Sequence, residues 1–390
     1  MKYPRFDILF FERPLVDLRK FAFKIAHELK RIDSSILCGA IALELPTEKD
    51  PNEIDYFFYR RDVKDIDAFF RETGIKLIVL TQNRVPDLEI ILHAKKLGVK
   101  TVMIQEGIMF DGTNINDLSA SSVFGMFKYI PKVMEYTNIM RKMCKYASRS
   151  FTGLVSKMVK ERIDLTTSIA KYFDQNLTCD YVFTMGEFWD DYYINRKGYS
   201  KEQIRLVGDH DLDGFTPSDV SDEAICYIAN TLVEDGTIAA PQFDFFVHAL
   251  ADAVGKATKL YIKLHPRSNK SLYDALKDHN VEFVSKPGYI PSVNLYIGHR
   301  SALLGKALYE SDNLIIWRFP KEKVCFYETY STAVCTEPAE LKNAVAGIDL
   351  SKKTNLKRDT IAKVYWLNPE GAIRSIARYC LQYINGNSIS

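Results

Sequence analysis

The sequence has no run of about 18 apolar residues, so no segment is expected to cross a bilayer as a helix. Its opening, Met1-Lys2-Tyr3-Pro4-Arg5-Phe6-Asp7, lacks the apolar centre of a secretory leader. Cysteine is sparse: Cys38, Cys144, Cys179, Cys226, Cys325, Cys335 and Cys380 are odd in number, scattered and never spaced Cys-x-x-Cys. That argues against a disulfide frame or a zinc site and for reduced, buried thiols in a cytoplasmic protein. Net charge is also lacking, because 52 Lys and Arg face 50 Asp and Glu for a formal +2. A general nucleic-acid binder needs a strong basic excess, so that class is excluded, while a local phosphate site is not. No segment repeats another by residue identity.

What is present is 390 residues, 47% of them hydrophobic, which suits two domains with buried sheets. Strand-like and helix-like segments alternate. Phe6–Phe11 reads as a buried strand, and residues 15–31 carry Leu18, Phe21, Ala22, Ile25, Ala26 and Leu29 on one helical face. A strand at 75–81, a helix at 85–97 and a strand at 100–105 follow, the rhythm of a parallel doubly wound sheet. Residues 115–178 interrupt it as a helical insertion. Its centre is basic and aromatic, with Lys128, Lys132, Arg141, Lys142, Lys145 and Arg149 among Phe127, Tyr129, Tyr136 and Tyr146. A solvated basic face explains that pattern; a surface for an anionic acceptor or for inner-leaflet headgroups is the alternative.

The alternation resumes with a strand at 181–186 and a helix at 188–197, and residues 208–222 read as a linker. The second half predicts strands at 223–230, 258–264, 281–285, 293–297, 313–318 and 332–335. Helices at 241–256, 269–279, 301–310 and 337–347 separate them. Residues 1–208 then form an N-terminal Rossmann-like domain and 220–355 a C-terminal one. A helical tail over 356–390 returns to the first domain.

Open parallel sheets bind ligands beyond the carboxyl ends of their strands, so the polar residues just past each strand are the candidates. In Tyr261-Ile-Lys263-Leu-His265-Pro266-Arg267-Ser268 a strand ends at His265 and Pro266 stops it. A histidine between Lys263 and Arg267 suits a phosphate, by donating a hydrogen bond or proton while the cations neutralise charge. A turn histidine capping a loop is the plain alternative. In Gly298-His299-Arg300-Ser301, Gly298 permits close backbone approach and Ser301 is placed to cap the next helix. A phosphate held there by Ser301 and the helix amides would account for Gly298 and His299 as well. Glu106, before Gly107 at the end of a first-domain strand, is placed as a general base or as a turn residue. Glu234 and Asp235, past the first strand of the second half, are either loop residues or groups facing a donor sugar.

Gln105-Glu106-Gly107, then Lys263-Leu264-His265-Pro266, then Gly298-His299-Arg300-Ser301 resembles the motif order of bacterial CMP-sugar-dependent glycosyltransferases of the GT-B type. These are the sialyltransferases and polysialyltransferases, with an acidic-acidic-Gly, a His-Pro and a Ser/Thr motif. The β-Kdo transferases of capsule and O-antigen assembly are similar too. The first motif departs at Gln105, which leaves Glu106 as its sole carboxylate. The resemblance implies an α/β GT-B fold of two Rossmann-like domains with a CMP-sugar donor between them. His265 would contact the CMP phosphate and assist its departure, with Lys263, Pro266, Arg267, Gly298, His299 and Ser301 around it. Glu106 would face an oligosaccharide or glycolipid acceptor. A retaining route of the β-Kdo kind would use Asp235 or Glu234 as nucleophile. A single leaving phosphate asks for no metal or other cofactor, and the enzyme would be cytoplasmic or peripheral on the inner face of the inner membrane. The alternatives are a GT-B enzyme using a UDP- or GDP-sugar or a CDP-polyol as teichoic-acid transferases do, a nucleotide-sugar epimerase, and a scaffolding protein of polysaccharide assembly.

Overall fold

The structure, a computed structural model, describes residues 3–11, 18–42, 53–81, 84–107, 123–161, 165–173, 177–218, 222–286, 288–320, 322 and 324–386. The chain divides into two compact units, one of Met1–Asp213 with Trp366–Ser390 and one of Gly214–Tyr365.

The first unit is built on seven parallel strands: β1 (Ile8–Phe11), β2 (Cys38–Ala42), β3 (Tyr56–Tyr59), β4 (Leu77–Leu80), β5 (Lys100–Ile104), β6 (Tyr181–Thr184) and β7 (Ile204–Leu206). They lie in the order β3-β2-β1-β4-β5-β6-β7. Ile-Leu-Phe-Phe and Leu-Ile-Val-Leu are fully buried, as strands covered on both faces must be. Period-two alternation sends Ile8, Phe10, Cys38, Ala40, Leu77, Val79, Val102 and Ile104 into one core. The helices Phe23–Ile32 and Ala372–Ile384 cover it with Ile25, Leu29, Ile376 and Cys380.

β2 and β3 are absent from the sequence reading. Cys-Gly-Ala-Ile-Ala has weak strand propensity and is a strand because β1 and β3 pair with it on either side. Its Gly39 is needed for packing, since a Cβ there would fall 2.5 Å from the Phe6 ring. The expected helix over 188–197 is instead broken into short turns at Glu187–Trp189, Asp190–Tyr192 and Tyr193–Lys197. The insertion holds the helices Val123–Tyr146, Phe151–Glu161 and Leu165–Tyr172. The side chains of Phe127, Lys128, Tyr129 and Lys132 lie outside the described residues.

The returning C-terminal segment is tied into the first unit by its backbone. Trp366 N–H donates to Met185 O (2.6 Å) and Asp209 N–H to Trp366 O (3.3 Å). Asp213 then accepts the Ala372 and Ile373 N–H groups (2.6 and 3.0 Å), supplying a carboxylate to a helix N-terminus that lacks its own side-chain cap. The expected helical tail is two helices, and the first, Arg358–Val364, belongs to the second unit.

That second unit has six parallel strands: β8 (Asp222–Ile228), β9 (Lys259–Lys263), β10 (Val281–Val284), β11 (Val293–Gly298), β12 (Leu314–Trp317) and β13 (Ala333–Cys335), in the order β10-β9-β8-β11-β12-β13. Helix Ala240–Val254 follows β8, Leu303–Glu310 follows β11 and Pro338–Ala346 follows β13. The stretch after β9, expected as a helix over 269–279, is a 3-10 segment at Lys270–Leu276. A buried network of Glu310, Lys353 and Ser292 closes the base of this unit. Glu310 accepts from Lys353 (3.0 Å), Ser292 Oγ (2.9 Å) and Ser218 N–H (3.2 Å). All seven cysteines are buried and unpaired, and no helix among the described residues is long and apolar enough to cross a membrane.

Candidate functional site

In the second sheet β8 lies between β9 and β11, so the strand order reverses at the β8/β11 junction. An open α/β sheet offers its ligand crevice beyond the carboxyl ends at such a junction. The carboxyl ends of β9 and β11 and the loops leaving β8, β9 and β11 carry nine of the ten candidates.

Side chains fasten these loops to one another. Asn230 Nδ2 donates across the junction to Arg300 O (2.5 Å). Arg267 grips Asp235 with two nitrogens (2.6 and 3.1 Å) and reaches Thr231 Oγ1 (3.2 Å), whose own proton goes to Asp235 (2.6 Å). Glu234 accepts the Asn269 N–H (2.7 Å). The Arg267 and Thr231 hydrogen bonds hold the Asp235 carboxyl below the usual range, so it is ionised at neutral pH. Both Asp235 oxygens are engaged, which weakens them as nucleophiles. In this geometry Glu234 and Asp235 position loops, a different task from the nucleophile expected of them.

His265 is half-buried just past the end of β9. Its Nδ1 accepts the Arg267 N–H (3.2 Å), and its own N–H donates to Ser268 Oγ (3.1 Å). With Nδ1 an acceptor, the neutral ring carries its proton on Nε2, which is thereby a hydrogen-bond donor. Pro266 and Arg267 are exposed in the turn that Ser268 N–H closes onto His265 O (2.9 Å).

Three expectations require correction. His299 is only 1% exposed, under the sheet end and not in the crevice. Trp317 O takes its Nδ1 proton (2.8 Å), so Nε2 is left to accept from Tyr227 OH (2.9 Å). Phe246 and Phe319 flank the ring at 4.9 and 5.0 Å. Burial pushes its pKa down to about 4 against a weaker opposing pull from the Trp317 carbonyl, so it is a neutral brace and no phosphate ligand. Gly298 leaves room for Leu304 of the next helix, because a Cβ there would sit 2.8 Å from Leu304 Cδ2. Lys263, 2% exposed, spends its ammonium on Lys286 O (2.7 Å) and Leu264 O (3.4 Å), fastening β9 to the loop after β10.

Ser301 is half-buried one residue before the N-cap position of helix Leu303–Glu310, and its Oγ accepts the Leu303 N–H (3.3 Å). Arg300 pairs with Glu322 (3.1 Å). The remaining candidate, Glu106, is half-buried after β5 in the first unit. The Gln105 beside it braces the sheet end, accepting from Met185 N–H (3.2 Å) and donating to Gly107 O (3.2 Å). Gly107 has φ +66°, the left-handed conformation that makes glycine the residue of choice there. Residues 108–110 of that segment lie outside the described residues.

Sequence reasoning passed over Tyr227 and Glu322. Tyr227 sits inside an apolar run, and its partner His299 is 72 residues away. Glu322 sits in a charged stretch that reads as solvated. Among the described residues the grouping whose ligand atoms lie within 4.8 Å of one another is Asp209, His210 and Asp211, also unforeseen. There Asp209 accepts the Asp211 N–H (2.9 Å) and the His210 ring stacks on Phe21 at 4.2 Å.

No family model and no curated protein matches the sequence. Solved structures do match by fold. A UDP-N-acetylglucosamine 2-epimerase has a TM-score of 0.54 and 8% identity, over 99% of this chain and 100% of that one. The structure of S. aureus MnaA with UDP has a TM-score of 0.52 and 11% identity, over 97% of each chain. The wall teichoic acid polymerase TagF has a TM-score of 0.52 and 12% identity, over 97% of this chain and 89% of that one. The fold is therefore the expected GT-B type, two Rossmann-like units of parallel sheet and helices. Epimerases and transferases share it, so the likeness distinguishes neither nucleotide nor reaction.

Proposed function

We propose that the chain is a glycosyltransferase that holds a nucleotide-activated sugar at the β8/β11 junction of its second unit. The observation carrying this reading is His265, whose tautomer makes Nε2 a donor in a crevice pinned by Arg267, Asp235, Thr231 and Asn230. A preorganised donor beside a departing phosphate stabilises the charge that develops as the glycosidic bond breaks. Ser301 and the first amides of helix Leu303–Glu310 are the second group suited to the same phosphate.

The cation balance favours a donor with one phosphate, as in a CMP-activated ulosonic acid such as Kdo or sialic acid. Arg267 and Arg300 are each neutralised by a carboxylate, and Lys263 and Lys306 are turned to the backbone oxygens of Lys286 and Gly288. A diphosphate would ask for cations the crevice has already paired. Glu106 is the acceptor-side carboxylate of this reading, and the acceptor is an oligosaccharide or glycolipid. A second reading, a UDP-sugar epimerase or a CDP-polyol transferase, draws on the fold shared with the epimerase and with TagF.

Calorimetric titration with CMP, CDP, UDP and GDP, on the wild type and on His265→Ala, tests the proposal. CMP should bind in preference and lose roughly tenfold or more in the variant, the scale of one hydrogen bond to a charged group. A preference for UDP or CDP would move the protein to the second reading, and no nucleotide binding would end the enzyme reading altogether.

A further inference from the structure

The helices Ile66–Thr73, Val85–Leu97 and Val123–Tyr146 enclose a cavity of about 1050 Å³ within the first unit. It is also lined by Phe11 at the end of β1, Arg60 after β3 and Pro86 at the start of the helix after β4. β1 and β4 flank the strand-order reversal of the first sheet, the counterpart of the β8/β11 junction. Its volume is at the upper end of ordinary ligand cavities, about 300–1,000 Å³, and exceeds what a single sugar ring would fill.

Six cations, Arg60, Arg61, Lys64, Arg71, Lys142 and Lys145, line the cavity against four carboxylates, Asp65, Asp67, Glu89 and Glu135. Arg60 is paired with the buried Glu89 (2.6 Å), and Arg71 reaches Asp67 only at 4.0 Å. Lys64, Lys142 and Lys145 also line the cavity, are exposed, and form no ion pair with the described residues. Two of these three come from the basic stretch of the insertion whose role the sequence left open between a solvated face and an anion-binding surface.

Asp67, His93 and Tyr146 bring a different chemistry to the same lining. Asp67 lies 2.5 Å from His93 Nδ1 and accepts the Tyr146 hydroxyl with both oxygens (2.8 and 2.9 Å). Tyr146 packs on the His93 ring at 3.9 Å. Burial works against the Asp67 carboxylate, but the His93 and Tyr146 hydrogen bonds still hold its pKa below the usual range. With His93 Nδ1–H donating to Asp67, Nε2 is the ring nitrogen that can accept from a hydroxyl. The cavity thus offers ammonium groups for anions, a hydroxyl acceptor, and the apolar surfaces of Phe11, Ile139 and Tyr146.

We propose that this cavity binds an anionic oligosaccharide, with carboxylates or phosphates meeting Lys64, Lys142 and Lys145 and a hydroxyl meeting His93. The inference rests on the transferase reading, for which it is the acceptor site.

The test is calorimetric titration of the full chain with three probes: trigalacturonate for carboxylates, a glycerol phosphate trimer for phosphates, and neutral maltotriose. One anionic trimer should bind at sub-millimolar concentration, its identity naming the anion. A Lys64→Gln/Lys142→Gln/Lys145→Gln variant should lose at least tenfold in affinity with an unchanged melting temperature, since all three side chains are exposed. Undiminished affinity in the variant, equal binding of maltotriose, or no binding of either anionic trimer would overturn the proposal. Nucleotide titration of the same proteins separates the two readings. Trimer binding without nucleotide binding keeps the site and sinks the transferase, and nucleotide binding without trimer binding does the reverse.

Discussion

Acidification should weaken the second unit through His299, by an amount the structure sets. The ring is enclosed by Tyr227, Phe246, Phe319 and Trp317, and burial lowers its pKa from 6.5 to about 4. A histidine whose folded pKa is depressed favours the folded state fully above its unfolded pKa. That stability is lost as the pH falls from 6.5 towards 4, because the unfolded chain takes up a proton that the folded chain refuses. The gap of about 2.5 units corresponds to about 3 kcal/mol. Asp235, Glu340 and Asp349, whose carboxyls are held low by hydrogen bonds, add to the acid sensitivity of the same unit. A comparison with His299→Asn removes their contribution, since both proteins share it. The amide lies near Nδ1 and can still donate to Trp317 O, but it does not titrate. Hydrogen exchange of peptides from β11 and β12 reports opening of the second unit alone. The stability advantage of the wild type over His299→Asn at pH 7 should shrink by about 3 kcal/mol by pH 4. Parallel pH profiles for the two proteins, or an imidazole NMR signal that titrates near 6.5 in the wild type and is missing from His299→Asn, would refute the buried neutral assignment.

Three further outcomes are expected. Glu310→Gln should destabilise the second unit by about 3–5 kcal/mol in denaturant titration, because it strands the Lys353 ammonium in a buried site; adding Lys353→Met should recover most of the loss. Gly208→Ala should destabilise the first unit by about 2 kcal/mol or more, since φ is +93° and a Cβ would meet Trp366 O at 2.7 Å. Exchange of β11 peptides should be unaffected by it. Ser301→Ala should weaken nucleotide binding in calorimetry while costing only about 1–2 kcal/mol of stability, the scale of a lost helix-end hydrogen bond; unchanged affinity would leave Ser301 as an end residue only.

The alternation of strands and helices was legible wherever a strand is buried on both faces. Leu77–Leu80 is a continuous apolar run and Val293–Gly298 one interrupted only by Asn294, and both were read as strands from that pattern. β2 and β3 were missed in the sequence although each lies in an apolar run. The small residues Gly39, Ala40 and Ala42 give β2 a weak strand signal, and the four aromatics of β3, half-buried before Arg60 and Arg61, are a strand-prone stretch that was passed over. What holds them in the sheet is pairing with strands distant in sequence. The helix expected over 269–279 starts on its Asn269 cap but is interrupted at the buried Tyr273, whose backbone is non-helical (φ −110°, ψ 17°), and is a 3-10 segment instead.

Candidate chemistry was legible by position but not by direction. A residue just past a strand end points into the crevice or back under the sheet, and a shift of one place decides which. His265 and His299 show the two outcomes. Each follows a parallel strand in the second unit, and each was placed among the phosphate-binding candidates by its sequence position. His265 comes two residues after the end of β9, with its Nδ1 accepting from the next turn. His299 comes one residue after β11, where its ring enters the layer of Phe246, Phe319 and Trp317 and both nitrogens find partners inside the unit. The charged residues followed the same logic. Lys263 is the last residue of β9 and is buried with it, while Arg267, four residues further on, is exposed and free to turn onto Asp235 only because Pro266 has ended the strand. The residues that escape the sheet are the ones open to a ligand at such a junction; in the proposed reading these are His265 and Ser301, while the Arg267–Asp235 pair holds the loops around them.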